Sequence, residues 1–131
     1  MNRTDAKRLI ERARQARKKS YSPYSNFPVG AALMTTGGKI YTGTNVENGV
    51  NGLSICAERV ALFKAISEGE TGFDKLAVVC GDSYCRPCGA CRQTLSEHAP
   101  DLTVIMSSVS GRYEVKSLAE LLPKTFGLDE A

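Results

Sequence analysis

The residue pattern predicts an α/β fold, a three-layer α/β/α sandwich built on a mixed, roughly five-stranded sheet. Three observations carry that prediction. Apolar runs of strand length alternate with segments of helical period after the chain's midpoint. Two of those runs, "KLAVVC" and "LTVIMSS", are continuously apolar, which suits strands covered on both faces. An earlier pair of strand-like runs flanks "TTGG", whose paired glycines allow a tight hairpin turn.

The elements follow in order. Leu9, Ile10, Ala13 and Ala16 recur at helical spacing within "KRLIERARQARKK", and Thr4 or Asp5 is placed to cap a helix running to about residue 18. The prolines and serines of "YSPYSNFP" deny a helix and predict a loop. "VGAALM" and "KIYTGTNVE" form the hairpin, and "NGVNG" ends it. In "SICAERVALFKAISEG", Ala57, Ala61, Leu62, Ala65 and Ile66 share one helical face, with Ser54 as the cap and Gly69 as the terminator. "CGACRQTLSEHAP" reads as a helix stopped by Pro100, "GRYEVK" as an edge strand, and "SLAELL" as a short closing helix before Pro123.

The 131 residues predict one domain spanning 1–131, large enough to bury roughly two-thirds of its unfolded surface without disulfide staples. No apolar run approaches the ~20 residues that span a bilayer. The opening "MNRTDAKRLI" lacks an apolar core followed by small residues, so no signal peptide is expected. Together with an odd count of five cysteines, this predicts reduced thiols in a cytoplasmic protein, with metal or catalytic use favoured over a disulfide framework. The formal charge of +3 sits mostly on the first helix. No aromatics interleave with those cations, so the reading is a solvated helix face, with neither nucleic acid nor membrane as a partner.

Chemistry concentrates in "CRPCGACRQ", where Cys85, Cys88 and Cys91 recur every third residue. Such spacing serves a structural zinc, an iron–sulfur cluster or a catalytic centre. Pro87 fits a helix start beside Cys88, which sets Cys88 and Cys91 on the first turn and leaves Cys85 in the preceding loop. Cys56 is the other cysteine near a helix start, whereas Cys80 ends an apolar strand and reads as a buried core thiol. His98 lies at the far end of its helix and reads as a surface residue. Glu58, two residues after Cys56, turns the reading toward catalysis, because three protein ligands leave zinc one open position and a nearby carboxylate can move protons there.

The combination C-A-E … P-C-x-x-C matches the zinc deaminase arrangement H-x-E … P-C-x-x-C, with cysteine in the histidine position. With "YSPYSNFPVGAAL", "GKIYTGTNVEN", "CAERVALFKAISEG" and "PCGACRQ", the chain from about residue 21 to 126 resembles the small-subunit cytidine deaminases that act on free nucleosides. That resemblance implies one Zn²⁺ per subunit held by Cys56, Cys88 and Cys91. It implies Glu58 as the proton shuttle from water to pyrimidine N3 and the departing amino group, giving uridine and ammonia in pyrimidine salvage. It further implies Arg59 and Gln93 as hydrogen-bond donors to the thiolates. Phe27 would pack on the pyrimidine, the Ala57 backbone would contact the base, and Asn45 and Glu47 would share a strand face to hold the sugar. Phe126 would reach a neighbouring subunit's site, in a homotetramer with shared active sites.

Charge bookkeeping agrees with the second set of roles: three thiolates and Zn²⁺ sum to −1, and Arg59 together with two helix N-termini would offset it. Two departures bear on substrate range. Gly49-Val50-Asn51 replaces the family's small pair followed by an aromatic, and Arg86 stands where the family commonly has serine. They motivate an alternative substrate, a modified or larger cytosine nucleoside of the blasticidin type. A polynucleotide substrate is disfavoured by C-A-E, the mild charge and the absence of tryptophan. A non-catalytic cysteine–metal binding module is the alternative from another class.

Overall fold

The computed structural model describes residues 2–128. Four helices and five strands follow in the order α1 (Arg3–Arg17), β1 (Gly30–Thr35), β2 (Ile40–Thr44), α2 (Ala57–Ser67), β3 (Phe73–Val79), α3 (Gly89–His98), β4 (Thr103–Ser107), β5 (Tyr113–Ser117) and α4 (Leu118–Leu121), with a 3₁₀ turn at Asn51–Leu53. The strands form a mixed five-stranded sheet in the order β2-β1-β3-β4-β5. Only β3 and β4 run parallel; the other neighbours are antiparallel.

Strand alternation divides the core into two layers. On one face Ala32, Met34, Ala77, Val79 and Ile105 meet Ala6, Leu9, Ile10 and Ala13 of α1. On the other, Ala31, Leu33, Leu76, Val78, Val104 and Met106 meet Ala57, Ala61, Leu62 and Ala65 of α2, Leu95 of α3 and Leu118 of α4. The predicted three layers are thus one helix, the sheet and three helices. Ile66, placed by periodicity on the buried face of α2, is only partly covered.

Close approaches set the spacing of these layers. A Cβ on Gly43 of β2 would sit 2.5 Å from the Ala57 carbonyl oxygen and from the Ala61 nitrogen. A Cβ on Gly30 would sit 2.0 Å from the Ala13 carbonyl oxygen. Both helices therefore ride directly on glycine backbone, and Gly43 fixes how near the first turn of α2 lies to the sheet.

The hairpin turn forms as expected: Gly38 adopts φ +91° and Thr35 N–H donates to the Lys39 carbonyl at 2.8 Å. Gly69, also at positive φ, closes α2. Three boundaries differ from expectation. Asn2, rather than Thr4 or Asp5, caps α1, its Oδ1 accepting from Thr4 N–H at 2.8 Å. Ser54 does not cap α2, because its hydroxyl already accepts from Asn48 N–H at 3.0 Å, and Cys56 takes the cap position with no side-chain bond. The strand predicted to reach residue 47 ends at Thr44, where Asn45 turns its amide into the preceding loop.

The basic helix α1 spends two arginines on backbone. Arg14 donates to the Val109 carbonyl at 2.9 Å, and Arg17 Nε donates to the Cys80 carbonyl, each just past a strand end. Among the described residues no helix is long and apolar enough to cross a membrane.

Candidate active site

Two helix N-termini on the three-helix face converge here. Cys56 occupies the cap position of α2 and Cys88 that of α3, while Cys91 lies in the first turn of α3. Pro87 precedes the cap, so Cys88 stands two positions earlier than it would in a helix with Pro87 as its first residue. Cys88 Sγ accepts from Cys91 N–H at 3.4 Å and thereby caps α3. The three sulfurs lie within 4.8 Å of one another, and those of Cys56 and Cys88 are 3.8 Å apart. Four sulfurs at a zinc–sulfur distance of about 2.3 Å on a tetrahedron are separated by about 3.8 Å, so this donor set fits zinc.

The electrostatics agree with a cation-demanding cluster. The Cys56 thiol is brought down to about 5, first by the hydrogen bond it accepts from Cys91, with help from Arg59 and Cys88. The same contact with Cys56, together with burial, drives Cys91 upward. The Cys56 thiolate forms readily, and Cys91 resists ionising beside it until a cation is supplied. Arg59 Nη2 donates to Cys56 Sγ at 3.5 Å, as the resemblance implies. Its Nε is buried and finds no partner, and among the described residues it pairs with no carboxylate, so its charge faces the sulfur cluster.

Glu58, in the first turn of α2, is only 4% exposed. Burial pushes its carboxyl up to about 7, and the neighbouring Cys56 charge adds to the rise. A carboxyl poised there can both take and return a proton near neutrality.

A cavity of about 540 Å³ opens over this cluster. Its walls include Phe27, Asn45, Glu47, Cys56, Ala57, Glu58, Arg59 and Cys88, which the sequence had singled out one by one. Asn45 and Glu47 meet here from a loop rather than from a strand. Asn45 Oδ1 accepts from Val29 N–H at 2.9 Å and from the Ser20 hydroxyl, and its Nδ2 donates to the Phe27 carbonyl at 2.9 Å. Glu47 Oε1 accepts from the backbone N–H groups of Tyr24 and Ser25 at 3.0 and 3.1 Å, and Oε2 accepts from the Ser25 hydroxyl. That hydroxyl, with the two N–H groups, holds the Glu47 carboxyl below its usual value. After these bonds Asn45 keeps one N–H and Glu47 one lone pair on Oε2, a donor and an acceptor for a hydroxyl-bearing ligand.

Gln93 departs from its expected partner, while Phe126, expected at a neighbouring subunit's site, lies off this chain's own cavity. Gln93 Nε2 donates to the Phe126 carbonyl at 3.1 Å instead of to a thiolate, because the C-terminal segment lies within reach of that face of α3. Phe126 is 65% exposed and lines no part of the cavity. His98 is exposed beside Glu97, as expected.

The cysteines correct one expectation outright. Cys80 is not a free core thiol; it is disulfide-bonded to Cys85, so the thiols are not all reduced. Cys85 and Arg86 both line the cavity, and neither was among the predicted site residues. Their signal was present only as a departure: a third cysteine and a cation next to the metal motif.

Residues 3–107 match the profile of the cytidine and deoxycytidylate deaminase zinc-binding region. The chain is 44% identical over 128 residues to a cytidine deaminase of Halalkalibacterium halodurans, covering 96% of this chain and 97% of that one. A cytidine deaminase of Sporosarcina psychrophila is 42% identical over 128 residues, covering 96% and 94%. Among solved structures, the 1.6 Å crystal structure of cytidine deaminase from Burkholderia pseudomallei superposes with a TM-score of 0.89 at 46% identity, over 96% of this chain and 100% of that one.

Proposed function

Because the chain belongs to the zinc-binding cytidine and deoxycytidylate deaminase family, we propose that it hydrolyses the 4-amino group of cytidine and deoxycytidine, leaving uridine or deoxyuridine and ammonia. The observation that carries this reading is the buried Glu58 carboxyl beside three sulfurs at zinc-binding separation, with Glu58, Cys56 and Cys88 lining one nucleoside-sized cavity and Cys91 buried behind it.

Cys56, Cys88 and Cys91 would hold the zinc, which when bound supplies the positive charge that makes water nucleophilic near neutral pH. Glu58 takes the proton that water gives up, passes it to pyrimidine N3, and returns a second proton to the departing amino group. Its burial suits that traffic, since a carboxyl held at about 7 is neither a firm acid nor a firm base there. Arg59 offsets the net negative charge of three thiolates around a divalent ion. Phe27 offers its ring to the pyrimidine face, and the Ala57 backbone, at the positive end of α2, faces the polar edge of the base. The spare Asn45 N–H and Glu47 lone pair serve the sugar hydroxyls.

The assembly reading is a homotetramer in which Phe126 reaches a neighbour's cavity. It is supported by the apolar exposure of Tyr24, Phe27, Val50, Leu53 and Phe126, on segments around the cavity mouth and at the C-terminal end. The reaction belongs to pyrimidine salvage, and a cytoplasmic location follows from free nucleosides as substrates. Gln93 supports the site through the Phe126 backbone rather than through sulfur.

Glu58→Gln tests the assignment: about one zinc per chain should remain while ammonia release from cytidine falls by at least ~10²-fold. Cys56→Ala should lose the zinc. Normal turnover by Glu58→Gln would refute the proton-shuttle role. A panel of cytidine, deoxycytidine and larger cytosine nucleosides separates this substrate reading from the blasticidin-type one, which turnover of the larger compounds alone would favour.

A further inference from the structure

The five cysteines fall into two sets, three gathered at the metal position and two bonded to each other beside it. Cys80 follows the last residue of β3, and Cys85 stands three residues before Cys88. Their Cα atoms are 5.5 Å apart, within the ordinary span of a disulfide. The bond closes a small ring whose other members are Gly81, Asp82, Ser83 and Tyr84.

That ring is tied down on every side. Arg17 of α1 donates to the Cys80 carbonyl, Val109 N–H donates to the Gly81 carbonyl at 2.9 Å, and Cys85 N–H donates to the Ser107 carbonyl at 3.3 Å. From Cys85 the chain needs only Arg86 and Pro87 to reach Cys88. Cys80 and Cys85 are 7% and 5% exposed, so a protein thiol has no approach to the bond. Cys85 nevertheless lines the active-site cavity, which is wide enough for a small thiol.

We propose that Cys80–Cys85 is a thiol–disulfide exchange site for low-molecular-weight thiols and disulfides, entered through the active-site cavity, and that its state sets how firmly Cys88 is held on the metal. In reduction, the thiolate of a small thiol such as glutathione attacks Cys85 Sγ. The S–S bond breaks, its electron pair leaves with Cys80, and Cys80 takes up a proton. A second glutathione then displaces the Cys85 thiolate from the mixed disulfide. Two protein thiols and one molecule of glutathione disulfide result, so two electrons pass from glutathione to the protein. Oxidation is the reverse, with glutathione disulfide as oxidant. Opening the ring removes the covalent tie between the end of β3 and Cys85, leaving only hydrogen bonds to hold the segment that delivers Cys88 in register with Cys56 and Cys91, and such loss of outer support loosens a metal ligand.

The zinc-loaded full chain is equilibrated in glutathione buffers of varied thiol-to-disulfide ratio. Differential alkylation with peptide mapping then counts free Cys80 and Cys85, and transfer of zinc to a chromogenic chelator is timed. The expected result is a shift from bonded to free Cys80 and Cys85 across the series, with zinc release roughly tenfold faster in the reduced form. Cys80→Ser, a change outside the cavity wall, should release zinc at the reduced rate in every buffer. Uridine at a concentration that inhibits deamination should slow reduction by covering Cys85. This last arm alone rests on the proposed substrate; the thiol count and zinc timing do not. Cysteines that remain free at every ratio, or equal zinc release from both forms, would overturn the proposal. Reduction unaffected by an inhibitory concentration of uridine would overturn the route through the cavity.

Discussion

Replacing Glu58 by Gln in the metal-free protein removes a buried titratable carboxyl without changing its shape. The native carboxyl is raised from 4.5 to about 7. At about 1.4 kcal/mol per unit of pKa, the ionised group costs the fold on the order of 3 kcal/mol. Because the folded value is the higher one, the native state holds the proton more tightly than the unfolded chain. The penalty is therefore absent below pH ~4.5, grows as pH rises from 4.5 to 7, and is complete above 7. Cys56 acts in the opposite sense: lowered from 9.0 to about 5, its thiolate adds stability as pH rises through that window. Wild type alone would show a blunted slope, whereas the difference between the Gln variant and wild type isolates Glu58. Urea unfolding in chelator from pH 4.5 to 7.5 measures it. The variant should gain about 3 kcal/mol on wild type between those limits, a midpoint shift of about 2 M for a slope of ~1.5 kcal/mol/M. A difference that stays flat with pH would mean that Glu58 is not held desolvated, and the argument for a proton shuttle poised at neutrality would fail.

Removing zinc with chelator should lower the stability of the wild-type chain by ~4 kcal/mol relative to protein held at a thousand times the dissociation constant, and unfolding of Cys56→Ala should no longer respond to added zinc. Gly43→Ala drives a Cβ into the backbone of α2 at 2.5 Å. It should cost about 1–3 kcal/mol in denaturant unfolding and lower kcat, because Glu58 moves with the helix. With one lone pair left on its carboxylate and that lone pair proposed to serve the sugar rather than the reacting carbon, Glu47→Gln should raise KM for cytidine more than it lowers kcat. Asn45→Ala should cost stability as well, by ~1–3 kcal/mol, because it strands the Val29 N–H and the Phe27 carbonyl; steady-state kinetics and thermal unfolding together separate the two.

Most of the architecture was legible because it rests on periodicity. The apolar face of Ala57, Ala61, Leu62 and Ala65 and the continuous run of β3 name their own layers. The C-A-E and P-C-x-x-C segments were legible for a different reason: thiolates at helix starts are chemically specific, and the structure brings those sulfurs together. What escaped was decided by competition between neighbours in space. Ser54 has the right chemistry for a cap but is claimed by Asn48. Asn45 alternates correctly for a strand, yet the loop 20–29 uses its amide to close on itself. The Cys80–Cys85 bond depends on where a strand end meets a loop, and spacing alone does not determine pairing. Gln93 was misplaced because the path of the C-terminal segment across α3 leaves no periodic trace.

The arginines of α1 deserve a different description from the one their charge suggests. The helix lies on the sheet face opposite the cavity, yet Arg17 and Arg14 reach past the strand ends to grip the carbonyls of Cys80 and Val109. The far layer thus has a handle on the loop that leads to Cys88, and a neutral replacement at Arg17 is in effect a remote change to the metal site. A survey of variants sorted by distance from the cavity would file Arg17 among the bystanders. Sorted by what each side chain holds in place, it belongs with the hinge hardware of the door.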